Sequence, residues 1–246
     1  MLHDMQKTII VIPCYNEGER LPSEQLNNFF KNSGDISCLL VNDGSVDSTG
    51  QIIDELSANN ENIRAFHLNK NSGKAEAVRQ GINAAMEYSP AYVGYWDADM
   101  ATPLDAIPLF LSHFDKGDFF AVTGCRLSRL GAKVIRKPIR HYLGRIFATV
   151  VSNLLKIQVY DTQCGAKIFE AGLAEKIFAR PFKTKWLFDV ELYKRIVDFY
   201  GAEKTSVSIY ELPLESWVDV GGSKLKFSTM LKVPFQLIKI FMSNRD

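Results

Sequence analysis

The stretch Ala91-Tyr92-Val93-Gly94-Tyr95-Trp96-Asp97-Ala98-Asp99 joins an apolar run to two carboxylates one residue apart. The apolar run predicts a buried strand, which puts both carboxylates at the end of an α/β sheet where ligands bind. Taken alone, the two acids also suit a solvated turn. In an apolar site they repel each other unless a cation neutralises them, and Mg2+ and Mn2+ bridge carboxylates to substrate phosphates. The stretch therefore predicts a divalent-metal site.

The chain before this stretch alternates short apolar runs with amphipathic segments. The predicted strands span residues 8–12, 38–41 and 63–67. The predicted helices span residues 23–32, 48–58 and 74–87. Strands that alternate with helices of about 10–15 residues predict right-handed βαβ units and a parallel sheet.

After Pro103 the regular alternation ends. Helices are predicted at 104–114, 174–178 and 188–199, and strands at 119–123 and 206–214. A strongly amphipathic helix is predicted in the segment 139–157, and the segment 229–242 is apolar with interspersed lysines. Because no repeat, low-complexity tract or linker interrupts the chain, residues 1–246 are interpreted as one domain.

Composition narrows the class of protein. A hydrophobic content of 46% in 246 residues supports a sizeable core, and a net charge of +1 gives no indication of a nucleic-acid partner. The four cysteines are widely spaced, which is typical of reduced thiols in a cytosolic protein. Neither a signal peptide nor a span of about 20 apolar residues is recognised, so a cytoplasmic location is expected.

Polar clusters follow the early strands. Pro13-Cys14-Tyr15-Asn16-Glu17 follows the first, and Asn42-Asp43-Gly44-Ser45 follows the second. Asp43 is placed to accept hydrogen bonds from a ribose or a base, although this segment also suits a turn with a helix cap. Lys74, at the start of a helix, is placed to meet a phosphate. Neither the P-loop spacing nor a G-x-G-x-x-G is present, which argues against common ATPase and dinucleotide sites.

Taken in order, PCYNE, NDGSVDST, NSGKAEAVRQG and DAD resemble the motifs of family-2 glycosyltransferases with the GT-A fold. The later segments GCRLSR, DTQCGAKIF, WLFDVEL and GGSKL are most similar to the dolichyl-phosphate glucose and mannose synthase branch and its bacterial polyprenyl-phosphate relatives. The resemblance covers nearly the whole chain. It implies a single-domain α/β fold of the GT-A type, with a Rossmann-like, mostly parallel sheet flanked by helices.

The resemblance also implies roles for individual residues. The positions that match contacts to the nucleotide's base and ribose are Pro13, Tyr15, Glu17 and Asp43. The metal and diphosphate motif is matched by Asp97, Ala98 and Asp99. Contacts to donor or acceptor phosphate are matched by Arg126 and Lys224, and Gln163 of DTQCG is included among the substrate-binding candidates.

Two positions depart from the family pattern. Ala101 stands where some relatives carry a metal-reaching glutamine, and Val218 stands where an arginine is often found. Charge compensation is then expected from Arg129 or Arg136. Both departures weaken a mannose-type assignment, whereas DTQCG and FDVEL favour glucose-type transfer.

The chemistry of the acceptor decides whether a base is needed. A lipid phosphate is already anionic near neutral pH, so it attacks the anomeric carbon without a strong base. A hydroxyl acceptor needs one, and Asp161, Asp189 and Glu191 are the candidates. Asp189 and Glu191 equally suit a structural position on a helix.

The sequence therefore favours an inverting transferase that uses Mg2+ or Mn2+ to move a hexose from a nucleotide sugar, with UDP-glucose favoured, to a polyprenyl or dolichyl phosphate. Two alternatives remain: a soluble family-2 transferase acting on a saccharide hydroxyl, and a non-catalytic nucleotide-sugar-binding protein. The segments 139–157 and 229–242 are too short or too polar to cross about 30 Å of hydrocarbon. With their flanking basic residues they predict peripheral contact with the cytoplasmic membrane face, and packing on the core is the alternative.

Overall fold

The computed structural model of the protein describes residues 7–135, 138–218 and 232–242. The strands of the described residues are β1 Thr8–Cys14, β2 Ile36–Asn42, β3 Ile63–His67, β4 Tyr92–Trp96, β5 Ala121–Cys125, β6 Lys133–Ile135, β7 Ala166–Glu170, β8 Ile209–Pro213 and β9 Ser216–Val218. The helices are α1 Ser23–Lys31, α2 Thr49–Asn59, α3 Lys74–Met86, α4 Ile107–Phe114, α5 Pro138–Leu155, α6 Ala171–Phe178, α7 Phe188–Ser208 and α8 Val233–Met242. A short 3-10 helix, Leu104–Ala106, precedes α4.

Seven strands form one sheet in the order β3-β2-β1-β4-β7-β5-β8. Neighbouring strands are parallel except at β7, which runs antiparallel to both β4 and β5. The start of β7 therefore lies at the edge where the parallel strands end. β6 and β9 form a separate parallel pair. The predicted mostly parallel sheet is confirmed, whereas the reversed strand β7 and the short strands β6 and β9 were not predicted.

Alternation along the central strands divides the core into two layers. In β1, Ile10 and Ile12 face one layer, whereas Ile9 and Val11 face the other, because successive side chains point to opposite faces of a sheet. Helices α1, α2 and α4 supply apolar side chains to the first layer. Helices α3, α6 and α7 supply them to the second. Helices thus cover both faces of the sheet.

Several predicted boundaries after β4 are wrong. The helix predicted at 188–199 is present up to Gly201, whose φ of 79° is not helical, and a second helical segment that was not predicted extends α7 from this kink to Ser208. The strand predicted at 206–214 consequently starts only at Ile209. The strand predicted at 119–123 is shifted to Ala121–Cys125, because its register follows its neighbours β7 and β8. The bounds of these two strands depend on long-range pairing and not on a local apolar pattern.

A third apolar cluster joins α5, α7 and α8. Val151 and Leu155 of α5 are buried together with Leu237 and Ile240 of α8. Among the residues that the structure describes, no helix is both long enough and apolar enough to cross a membrane.

Candidate active site

The loops that follow β1 and β2 are held to each other. The backbone N–H of Asn16 donates to Ser45 Oγ at 3.1 Å, and that of Glu17 donates to Thr49 Oγ1 at 2.8 Å. The predicted nucleotide contacts Pro13, Tyr15 and Glu17 are all partly buried along this loop. The two polar segments therefore form one surface at the carboxyl edge of the sheet.

Asp43 fixes the turn that leads into α3. Its side chain is buried, and its two carboxylate oxygens accept the backbone N–H groups of Ser72 at 2.7 Å and Gly73 at 2.9 Å. Gly73 has a φ of 90°, a left-handed conformation that favours glycine. Asp43 thus positions Lys74, the first residue of α3.

Lys74 and Asp97 form an ion pair across the site. Loss of water around the Lys74 amine acts to lower its pKa. The carboxylates of Asp97, Asp189 and Asp99 outweigh that effect, so the pKa of Lys74 is raised. The lysine therefore stays charged at neutral pH and compensates the acids at the end of β4.

Asp99 is exposed, and its Oδ1 accepts the backbone N–H of Ala101 at 3.0 Å. Displacement of water by the surrounding protein raises the pKa of Asp99, and the charge on Asp97 raises it further. No group of three or more His, Cys, Asp or Glu side chains within the described ranges could hold a metal by itself. Asp97 and Asp99 do fit Mg2+ or Mn2+, because such ions keep few protein carboxylates and take their other oxygens from phosphates and water.

A buried ion pair lies beneath this surface. Lys167 is only 1% exposed, and its Nζ donates to Asp189 Oδ1 at 2.6 Å and to the carbonyl of Cys164. The hydroxyl of Tyr95 also donates to Asp189 Oδ1. Burial raises the pKa of Tyr95 well above its ordinary value, and Asp189 raises it further. Asp189 therefore joins β4, β7 and α7.

Both carboxylate oxygens of Glu191 are likewise used in structural hydrogen bonds. Glu191 is buried, and its two oxygens accept Arg195 Nη2 and the backbone N–H of Lys183, each at 2.8 Å.

Arg126 and Asp161 are bound to each other. Arg126 Nε and Nη2 donate to the two oxygens of Asp161 at 2.6 and 2.8 Å. Burial acts to lower the pKa of Arg126, but the charge and hydrogen bonds of Asp161 outweigh that effect, and the charge of Asp97 also raises the pKa. Glu211 accepts the backbone N–H of Asp161 at 2.8 Å, which anchors the pair to β8.

The remaining predicted site residues are placed as follows. Ala98 is buried behind the two carboxylates, Gln163 is half-buried, and Arg129 is exposed. Arg136 and Lys224 lie outside the described residues. The structure thus brings Asp43, Lys74, Asp97 and Asp99 to one edge, as the strand-end motifs predicted.

Sequence reasoning missed Lys167 and Gly165. The backbone N–H of Asp97 donates to the Gly165 carbonyl at 2.9 Å. A signal for Lys167 was present, because it is a lone cation within the otherwise apolar run Ala166-Lys167-Ile168-Phe169, and a buried cation requires an acidic partner.

Known proteins resemble this chain in sequence, and solved structures resemble it in fold. The family model described as Glycosyl transferase family 2 matches residues 9–178. A dolichyl-phosphate beta-glucosyltransferase of Dictyostelium discoideum is 30% identical over 94% of this chain and 72% of its own length. The enzyme of the same name from Saccharomyces cerevisiae is 28% identical over 95% of this chain and 74% of its own length.

Solved structures of glucosyl-3-phosphoglycerate synthase from Mycobacterium tuberculosis share the GT-A fold. One, in complex with Mn2+, uridine-diphosphate and glucosyl-3-phosphoglycerate, gives a TM-score of 0.72. Another, in complex with Mg2+ and uridine-diphosphate, gives 0.71. Each is 16% identical and covers 98% of this chain and 82% of the other. With the family match over most of the chain and the relatives above, the chain is a glycosyltransferase that belongs to glycosyl transferase family 2, in its dolichyl-phosphate glucose synthase branch.

Proposed function

We propose that this glycosyltransferase moves glucose from UDP-glucose to a polyprenyl or dolichyl phosphate, with inversion at the anomeric carbon and with Mg2+ or Mn2+. The observation that carries the proposal is the grouping of Lys74, Asp97 and Asp99 at the carboxyl edge of the sheet. Relatives named for glucosyl transfer to dolichyl phosphate, similar over nearly the whole chain, support the choice of sugar and acceptor.

Asp97 and Asp99 would hold the metal, which supplies positive charge to the leaving diphosphate. Lys74 is paired with Asp97, so its positive charge, in addition to that of the metal, would be available to the same phosphates. Asp43 keeps the turn before Lys74 in place through the amides of Ser72 and Gly73. Lys74, together with a metal held by Asp97 and Asp99, would stabilise the negative charge that develops on the leaving group without a protonated acid.

The three carboxylates that are candidate bases are all held in ion pairs. This supports an acceptor that does not need a base. Asp161, Asp189 and Glu191 are each less than a tenth exposed, and each is paired with a cation. A base must reach the proton that it removes, and such committed groups are poorly suited to do so. A phosphate acceptor is already anionic, and its direct attack on the anomeric carbon gives inversion.

We also propose that the protein makes peripheral contact with an anionic membrane. Ile146, Val150 and Leu154 recur every four residues on α5 and remain exposed. Phe235 and Met242 are exposed on α8, which packs in the same cluster. Such faces suit the interfacial region of a bilayer, where a lipid phosphate would be presented.

Transfer is tested with radiolabelled UDP-glucose, UDP-GlcNAc and GDP-mannose, each with and without undecaprenyl or dolichyl phosphate, followed by organic extraction. We expect label in the organic phase only with UDP-glucose, a lipid phosphate and either Mg2+ or Mn2+. Label that stays in water on a saccharide would support the hydroxyl-acceptor alternative. Absence of both transfer and donor hydrolysis would support the non-catalytic one.

A further inference from the structure

Gly165 lies directly against the carboxylate of Asp97. A Cβ atom built on Gly165 would fall within 2.5 Å of Asp97 Cγ, Oδ1 and Oδ2. Non-bonded carbon and oxygen atoms do not approach so closely, so any side chain at position 165 competes with the carboxylate for the same space. The φ angle of Gly165 lies outside the left-handed region. The need for glycine therefore comes from this contact and not from backbone conformation.

The backbone at Gly165 is held from several directions, so it cannot easily recede. Its carbonyl accepts the Asp97 N–H at 2.9 Å, and the next residue, Ala166, is paired with Trp96 in the sheet. On the other side, Lys167 Nζ holds the carbonyl of Cys164. A Cβ at position 165 would thus be accommodated by rotation of the Asp97 side chain, because that side chain is only partly buried.

We propose that Gly165 is a positioning residue for Asp97: its missing side chain keeps the carboxylate in the orientation in which it pairs with Lys74 and would receive the metal. The buried Lys167–Asp189 pair supports this role by fixing the segment that carries Gly165. The inference rests on the proposed function, in which Asp97 is a metal ligand.

The test compares Gly165→Ala with Gly172→Ala. Gly172 lies on α6, and a Cβ there meets no atom within 4 Å. UDP binding is measured by calorimetry over a series of Mn2+ concentrations. We expect Gly165→Ala to raise the Mn2+ concentration needed for tight UDP binding by about 10-fold to 100-fold, the loss typical when groups that orient metal ligands are changed. Metal-free UDP binding and the thermal midpoint should change little, and Gly172→Ala should match the wild type.

A double-mutant cycle with Asp97→Ala separates positioning from a general structural effect. If Gly165 acts through Asp97, adding Gly165→Ala to Asp97→Ala causes no further loss. The same double variant answers the case in which Gly165→Ala alone fails to fold, because removal of the carboxylate also removes the overlap and should restore folding. Additive losses, an unfolded double variant or wild-type Mn2+ dependence in Gly165→Ala would each overturn the inference. Failure of the proposed function is distinguishable, since the wild type itself would then show no Mn2+-dependent UDP binding.

Discussion

Arg126 and Asp161 form an ion pair with two hydrogen bonds, although they are 35 positions apart in the sequence. The sequence between them contains no Asp or Glu. It contains seven lysines and arginines: Arg129, Lys133, Arg136, Lys137, Arg140, Arg145 and Lys156. The ion pair thus joins the two ends of a positively charged segment that includes β6 and α5. Because both side chains are largely buried, we infer that the pair mainly serves to hold this segment on the sheet.

Removing either partner should destabilise the protein. Asp161→Asn or Arg126→Ala leaves a buried charge without its partner, which costs about 3–5 kcal/mol in the free energy of unfolding. Urea denaturation followed by tryptophan fluorescence measures the loss, and Lys116→Ala, at an exposed position, is the control. Arg126→Ala with unchanged stability but impaired transfer to lipid phosphate would instead identify Arg126 as a phosphate ligand.

Loss of a carboxylate at the end of β4 should abolish efficient turnover. Asp99→Asn keeps the shape of the side chain but removes the negative charge, and we expect a decrease of at least about 100-fold in kcat. Addition of EDTA to the wild type should reduce activity to a similar level. Asp105→Asn removes an exposed carboxylate six positions further along the sequence and serves as the control. Full activity of the wild type in EDTA would contradict the metal assignment.

Substitution of Asp43 should affect stability and UDP affinity together. Asp43→Ala leaves the backbone N–H groups of Ser72 and Gly73 without their acceptor, at about 1–3 kcal/mol for each unsatisfied group. The turn before Lys74 then loosens, and calorimetry should show weaker binding of UDP. Unchanged affinity together with lower stability would restrict Asp43 to a structural role.

The four cysteines should be unreactive in the folded protein. All four are buried, and burial raises each pKa, that of Cys164 to about 11. The thiolate is the reactive form, so reactivity should stay low up to about pH 9 and increase only as the pH approaches the raised pKa values. Ellman's reagent at pH 8 should label no thiol in the native state and four in guanidinium chloride. Rapid labelling of the native protein would show that one of these sites opens readily.

Membrane contact should depend on the exposed face of α5. Ile146→Ser and Val150→Ser together should reduce flotation with anionic liposomes, and salt should weaken what remains. Leu109→Ser is the matched control, because Leu109 is an exposed apolar residue of α4, which packs in a different apolar cluster from α5 and α8. If the wild type does not float with anionic liposomes at low salt, the membrane contact is wrong and a soluble acceptor is preferred.

The first half of the fold followed directly from the sequence. β3 was predicted at its observed bounds, β1 and β2 contain the predicted apolar runs, and β4 begins one residue into its run. Prediction succeeded because β1, β2 and β4 are largely buried and end in polar turns. After β4, local pattern was no longer sufficient. Lys167 interrupts the apolar character of β7, and its partner Asp189 is brought beside it only by the tertiary fold.

The same division holds for the site. Asp97, Asp99 and Lys74 were predicted because each stands at the end of a strand or the start of a helix, so topology alone brings them together. The pairing of Arg126 with Asp161 was not predicted, since it depends on the path of the intervening segment. The overlap between position 165 and Asp97 could be recognised only from atomic positions.

The late position of β7 in the sequence, between two strands of the central sheet, also affects the order in which the protein folds. β1 to β4 are synthesised first and can pair with one another as they emerge, but the segment that contacts Asp97 is translated only after α5 is complete. Contacts between distant parts of a chain form slowly, because a long loop must close before they stabilise it. Nascent chains that end before β7 therefore carry the paired aspartates without the glycine beside them. The capacity to bind the donor should thus arise late in folding, when β7 has joined the central sheet.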